Sequence, residues 1–121
     1  MSLKQLTDWI DSQKKAIVDL ETLLTAHPAL APESGGEGEL EKCIALEQWL
    51  KKEGITDLAR FDAPDGRVKS GIRPNLVATI KGKSDKRSIW VIAHLDVVPV
   101  GEISLWSADP WKVYEKDGKL F

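Results

Sequence analysis

The sharpest chemical feature of this sequence is His94-Leu95-Asp96, which sets a metal-ligating imidazole two residues from a carboxylate. In an extended chain, residues two apart project to the same side, so both groups would face one cavity. A neutral imidazole is a good zinc ligand, and a carboxylate beside it fixes its orientation or raises its basicity. The same three residues also describe a histidine bonded to backbone at a strand end, with an aspartate opening a turn. Short motifs of this kind often occur by chance. The elements around the motif have to decide.

Directly before His94, Ser88-Ile-Trp-Val-Ile-Ala93 is almost wholly apolar. A continuous apolar run predicts a strand buried on both faces in the middle of a sheet, with Trp90 in the core. Active sites of open α/β sheets collect beyond the carboxyl ends of their strands, and His94 stands at that end.

Further upstream, Leu3, Leu6, Ile10, Ile17, Leu20 and Leu24 recur at helical steps and predict one amphipathic helix that stops before His27-Pro28. Residues 28–38 hold two prolines and three glycines and read as a loop. A second helix is expected from about Glu39 to Glu53, burying Leu40, Cys43, Ile44 and Leu50, with Gly54 as its left-handed cap. Strands are expected at Leu58 to Phe61, ending in the turn signal Asp62-Ala-Pro-Asp-Gly66, and at Asn75 to Lys81. Val113 to Lys116 and Lys119 to Phe121 flank Asp117-Gly118, a two-residue hairpin signal. The sum is an α/β arrangement with helices covering a sheet. Because the chain stops in mid-element at Phe121, it reads as one incomplete domain.

Composition narrows the function classes. Seventeen basic and nineteen acidic residues leave a formal charge of −2 with no basic block, so a nucleic-acid partner is not expected. No apolar stretch approaches the roughly 20 residues that cross a bilayer, so no membrane partner is expected either. The single cysteine, Cys43, has no internal disulfide partner, and the amino terminus lacks a secretory pattern, which points to the cytoplasm.

The remaining candidates favour structural roles. His27 precedes a proline with no second ligand near it in sequence, which suits a solvated or helix-terminal histidine. Glu33 and Ser34 sit beside glycines and read as turn formers. Gly35, Gly36 and Gly38 follow no apolar strand, so they form no phosphate cradle and read as a flexible lead-in to the second helix. Trp106 and Trp111 follow the His-x-Asp turn and are expected to wall the loop under the site.

His94-Leu-Asp-Val-Val-Pro99, Gly101, Trp106, Asp109-Pro110 and Asp117-Gly-Lys-Leu120 come in one order at compact spacing. Upstream stand Pro32-Glu-Ser, Gly36-Glu-Gly-Glu39, Trp49-Leu50, Gly54, Arg73-Pro-Asn-Leu-Val-Ala78 and Lys81-Gly82. From Leu24 onward this pattern resembles the amino-terminal part of the dinuclear zinc metallopeptidase and deacylase family. That family includes succinyl-diaminopimelate desuccinylase, acetylornithine deacetylase, carboxypeptidase G and aminoacylase.

The resemblance implies a catalytic domain of the zinc aminopeptidase and carboxypeptidase type, with two zinc or cobalt ions, acting on small N-acyl amino acids or peptides. It implies that His94 is a metal ligand and that Asp96 orients it. A Gly-Arg-Gly element and the bridging aspartate are expected just past Phe121, with the general base, the other ligands and the dimer-forming lid domain further on. On that reading the complete enzyme is a homodimer, and the 121 residues alone are inactive. The alternative is a stand-alone interaction module with the same partial fold and no catalysis.

Overall fold

A computed structural model describes residues 2–84 and 86–121. They divide into two compact units, one of residues up to His27 together with Glu102–Phe121, the other Pro28–Gly101.

The first unit opens with helix α1 (Leu3–Ser12) and helix α2 (Lys14–Thr25). A capping box starts α1: the Ser2 hydroxyl accepts from the Gln5 amide, and the Gln5 side chain accepts from the Ser2 amide. A single helix was the expectation from periodicity, and the chain breaks it at Gln13. In an unbroken helix the Gln13 N–H would reach the Trp9 carbonyl. The Ser12 hydroxyl donates to that carbonyl at 2.6 Å, and the Gln13 N–H turns instead to Ile10 O at 2.9 Å. The end of α2 at Thr25, ahead of His27-Pro28, is as the proline requires.

The hairpin of this unit pairs β5 (Glu115–Lys116) with β6 (Lys119–Leu120) around Asp117 and Gly118, whose φ values of 52° and 71° suit the two-residue turn predicted there. Tyr114 and Phe121 exchange both backbone hydrogen bonds and stack their rings at 5.2 Å. Lys14 on α2 reaches Glu115 at 2.5 Å, beside an open groove of about 380 Å³ lined by Ile10, Ile17, Val18 and Leu120.

In the second unit, helix α3 (Leu40–Lys52) ends in a Schellman closure: Ile55 N–H donates to Leu50 O and Gly54 N–H to Lys51 O, with Gly54 at φ 84°. The expected boundary is therefore found, with its cause. Cys43 is fully buried, joined in the core by Ala29, Ala45 and Val68, whereas Leu40, Ile44 and Leu50 are only half-buried.

Four short strands follow: β1 (Leu58–Arg60), β2 (Ala63–Pro64), β3 (Ile72–Arg73) and β4 (Leu76–Ala78). β1 pairs antiparallel with β4, and β2 with β3. Leu58 faces Ala78 and Ala63 faces Arg73 in one continuous register, so these are two stretches of a single hairpin. The ladder lapses where Pro74 has no N–H to give. Asp62 to Gly66 was expected as the turn. The chain instead carries the strand on through Pro64 and turns later, closing with Asp65 N–H on Gly71 O at 2.8 Å.

One expectation fails outright. Residues 88–93 form no strand, and Ile89, Trp90, Val91 and Ile92 are 93%, 73%, 89% and 88% exposed. Trp90 is therefore no core residue. A central strand needs a neighbour on each side. The sheets among the described residues are all two-stranded antiparallel pairs, none of which accepts this segment. What forms is α/β in content, helices with small antiparallel sheets, and the helix-covered sheet is not assembled from these residues.

Candidate functional site

His94 and Asp96 are brought together, although in an irregular segment just before the Val97 bridge and not at a strand end. The imidazole Nδ1 lies 3.0 Å from Asp96 Oδ1 and 2.8 Å from the Asp96 carbonyl oxygen. Both of those atoms only accept, so Nδ1 carries the proton of the neutral ring, and the lone pair stands on Nε2. With its side chain 84% exposed, against 49% for Asp96, the ring presents Nε2 to solvent.

The segment is held at Val97 by the loop 28–38. Val97 N–H donates to Ala29 O at 3.0 Å, and Leu30 and Val97 form an isolated parallel bridge. Ala29 is wholly buried. Burial along the chain resumes at Leu95, where this contact begins. The loop packs on itself in turn. Gly38 N–H donates to Leu30 O, and Gly36 sits so close that a Cβ there would fall 2.1 Å from Leu30 O. Of the glycines read from sequence as a flexible lead-in, Gly36 and Gly38 are packed into the platform, Gly36 by close approach to Leu30 and Gly38 buried at positive φ, while Gly35 is exposed and turns the chain at positive φ. A glycine-rich stretch signals both uses, and only the neighbour decides between them.

The loop is also tied to the hairpin by charge. Arg73 grips Glu39 with Nε and Nη2, the carboxylate side chain being only 7% exposed. Arg67 bridges Glu33 and Asp65, with a second approach from Arg73 to Asp65 at 3.6 Å. The hydrogen bonds from Arg67 hold the Asp65 carboxyl well below the usual carboxylate range. Lys69 pairs with Glu37 at 2.9 Å, and its hydrogen bonds lower that carboxyl too. Glu33 and Ser34 lie in a 3-10 turn, Pro32–Ser34, in keeping with their reading as turn formers. Sequence gave no sign of these long-range partners.

Other candidates stay apart from metal chemistry. His27 is half-buried just past α2 and gives its N–H to Leu24 O. Trp106 closes a 3-10 turn, and Trp111 N–H donates to Asp109 Oδ1 at 2.9 Å, both within the other unit. Burial raises the pKa of the Cys43 thiol, which makes it a poor thiolate ligand. Among the described residues, no three His, Cys, Asp or Glu side chains converge on a point that a metal ion could occupy. A hydrolytic zinc ion takes about three protein ligands. The donor set here fits one ligand of such a site, His94 Nε2, and not a whole one.

Known proteins supply the context for that single candidate. An uncharacterized metallohydrolase of Methanocaldococcus jannaschii is 34% identical over 112 residues, which cover 86% of this chain and 26% of that protein. Over that stretch the chain is similar to a metallohydrolase. Succinyl-diaminopimelate desuccinylases of Cereibacter sphaeroides and Parvibaculum lavamentivorans are likewise 34% identical, over 104 and 108 residues, covering 86% of the chain and 24% of each enzyme. The chain therefore spans about a quarter of the length of these curated relatives. These names support the metallohydrolase and desuccinylase family over that part, and the name metallohydrolase implies a metal in the relatives that carry it. No family model matches the chain, and no solved structure matches it. No helix among the described residues is long and apolar enough to cross a membrane.

Proposed function

We propose that this chain is the amino-terminal portion of the catalytic domain of a metal-dependent amidohydrolase, a desuccinylase- or deacetylase-like enzyme that cleaves small N-acyl amino acids or peptides. The observation that carries the reading is the presented Nε2 of His94, with its Nδ1 held by Asp96, in a chain whose relatives are metallohydrolases about four times as long. His94 would be one ligand of a dinuclear zinc or cobalt centre, and Asp96 its positioning residue. A bound ion would supply Lewis acidity toward the amide carbonyl. The chain's own part is narrower. Asp96 holds the ring proton on Nδ1 and fixes the ring's orientation, which leaves the Nε2 lone pair facing outward and lowers the ordering cost when an ion arrives.

On this reading the helix-covered sheet, the remaining ligands, the general base and a homodimeric lid belong to sequence outside these residues, and the enzyme works in the cytoplasm with neither nucleic acid nor membrane as partner. The rival reading is a stand-alone interaction module without catalysis. The coding sequence past Phe121 separates them. Gly-Arg-Gly followed closely by aspartate supports the enzyme, and a stop codon directly after Phe121 supports the module.

A further inference from the structure

We propose that the loop 28–38 is the positioning element of the His94 imidazole, acting through the contact of Gly36 with Leu30 and the bridge of Leu30 to Val97. The reading of His94 as a ligand gives this its purpose, but the geometry is independent of any metal. Among the described residues, Lys81 to Ser84 and Lys86 to His94 are exposed and form no ladder, so the segment leading directly into His94 does not hold the imidazole. Its anchor is downstream. Asp96, which supplies both partners of Nδ1, is covalently followed by Val97, and Val97 is fixed by its N–H on Ala29 O at 3.0 Å.

Leu30 keeps its place because Gly38 N–H bonds its carbonyl at 3.0 Å and because Gly36 has no side chain. A Cβ on Gly36 would lie 2.1 Å from Leu30 O and 2.4 Å from Leu30 Cβ. Backbone and Cβ atoms cannot swing aside as a flexible side-chain tip can. Since φ at Gly36 is not positive, alanine there acts by this contact and not by backbone strain. It should push Leu30 away, loosen Val97, and let Asp96 lose its hold on Nδ1.

The test reads the imidazole tautomer in the 121-residue chain, without metal, by long-range proton–nitrogen NMR at about pH 8, above the imidazole range. His27 serves as the internal reference. Wild type should show His94 protonated on Nδ1. Gly36→Ala should lower the Nδ1–H to Nε2–H ratio by roughly three- to tenfold, the worth of one hydrogen bond, and speed exchange of the Val97 amide by roughly tenfold. Gly66→Ala, where a Cβ meets nothing within 4 Å, should change neither.

If Gly36→Ala does not fold, Leu30→Cys/Val97→Cys replaces the bridge with a reversible bond, and its oxidised form should show a higher ratio than its reduced form. An Nδ1–H ratio that ignores Gly36→Ala while the Val97 amide loses protection, or that is equal in the oxidised and reduced chains, overturns the proposal. Metal content of the longer enzyme decides the ligand reading separately. A tautomer response with no metal on His94 would leave the positioning intact and remove the reading it serves.

Discussion

Arg73 on β3 meets Glu39, the residue that opens α3, through two nitrogens of its guanidinium fork. The two are 34 positions apart in sequence, and the pair fastens the hairpin to the helix end from which the loop 28–38 hangs. Arg73→Ala leaves the buried Glu39 carboxylate without its fork and should lower stability by about 1–3 kcal/mol. Arg73→Lys should recover only part of it, since an ammonium cannot make both planar contacts. Urea titration of the three chains measures this. Equal midpoints for all three would show that the pair is ornamental.

The Asp65 carboxyl should make stability depend on acid. Its folded pKa lies below its ordinary 3.8, chiefly through hydrogen bonds from Arg67. The unfolded chain therefore takes up the proton first as pH falls. Stabilisation is complete above the ordinary carboxylate range and is lost progressively below about pH 4 as the pH approaches the folded value. Arg67→Gln should flatten the fall in urea midpoint between neutral pH and about pH 3. Parallel curves for the two chains would remove Arg67 as the cause.

The exposed run Ile89-Trp90-Val91-Ile92 should make the isolated chain associate with itself. It is uncharged, rich in β-branched residues and has no strand partner among the described residues. Sedimentation should show species that grow with concentration, and Val91→Lys should shift them toward monomer. A monomer at high concentration with a sharp melt and no hydrophobic-dye binding speaks for the stand-alone module.

How much of this was legible beforehand depended on how local the cause was. Gly54 after α3 and Asp117-Gly118 in the last hairpin are decided by backbone angles within a few residues, and both elements formed as read. The break at Gln13 is just as local, but it hangs on which hydroxyl captures the Trp9 carbonyl, and Ser12 carries no breaker signal as glycine or proline would. The apolar pattern of Ser88 to Ala93 states what environment the segment needs and not which neighbours supply it. His94 and Asp96 were legible as a pair because two residues separate them. Their support from Leu30 was not, because the bridge from Leu30 to Val97 is made across more than sixty positions of sequence.

With zinc or cobalt added, the 121-residue chain should hydrolyse no N-succinyl or N-acetyl amino acid, since its described residues gather one ligand where about three are needed. Turnover that disappears on His94→Ala would contradict this.

In the longer enzyme proposed above, Asp96→Asn keeps the shape but weakens the hold on Nδ1. Activity should fall by roughly 10- to 100-fold while much of the metal stays bound. Metal loss as deep as that of a ligand variant would make Asp96 itself a ligand.

Elemental analysis of that longer enzyme with His94→Ala tests the central claim most directly. Zinc or cobalt per chain should fall relative to wild type, and activity should fall with it, because a direct ligand is gone. Metal content equal to wild type would show that His94 does not hold the ion.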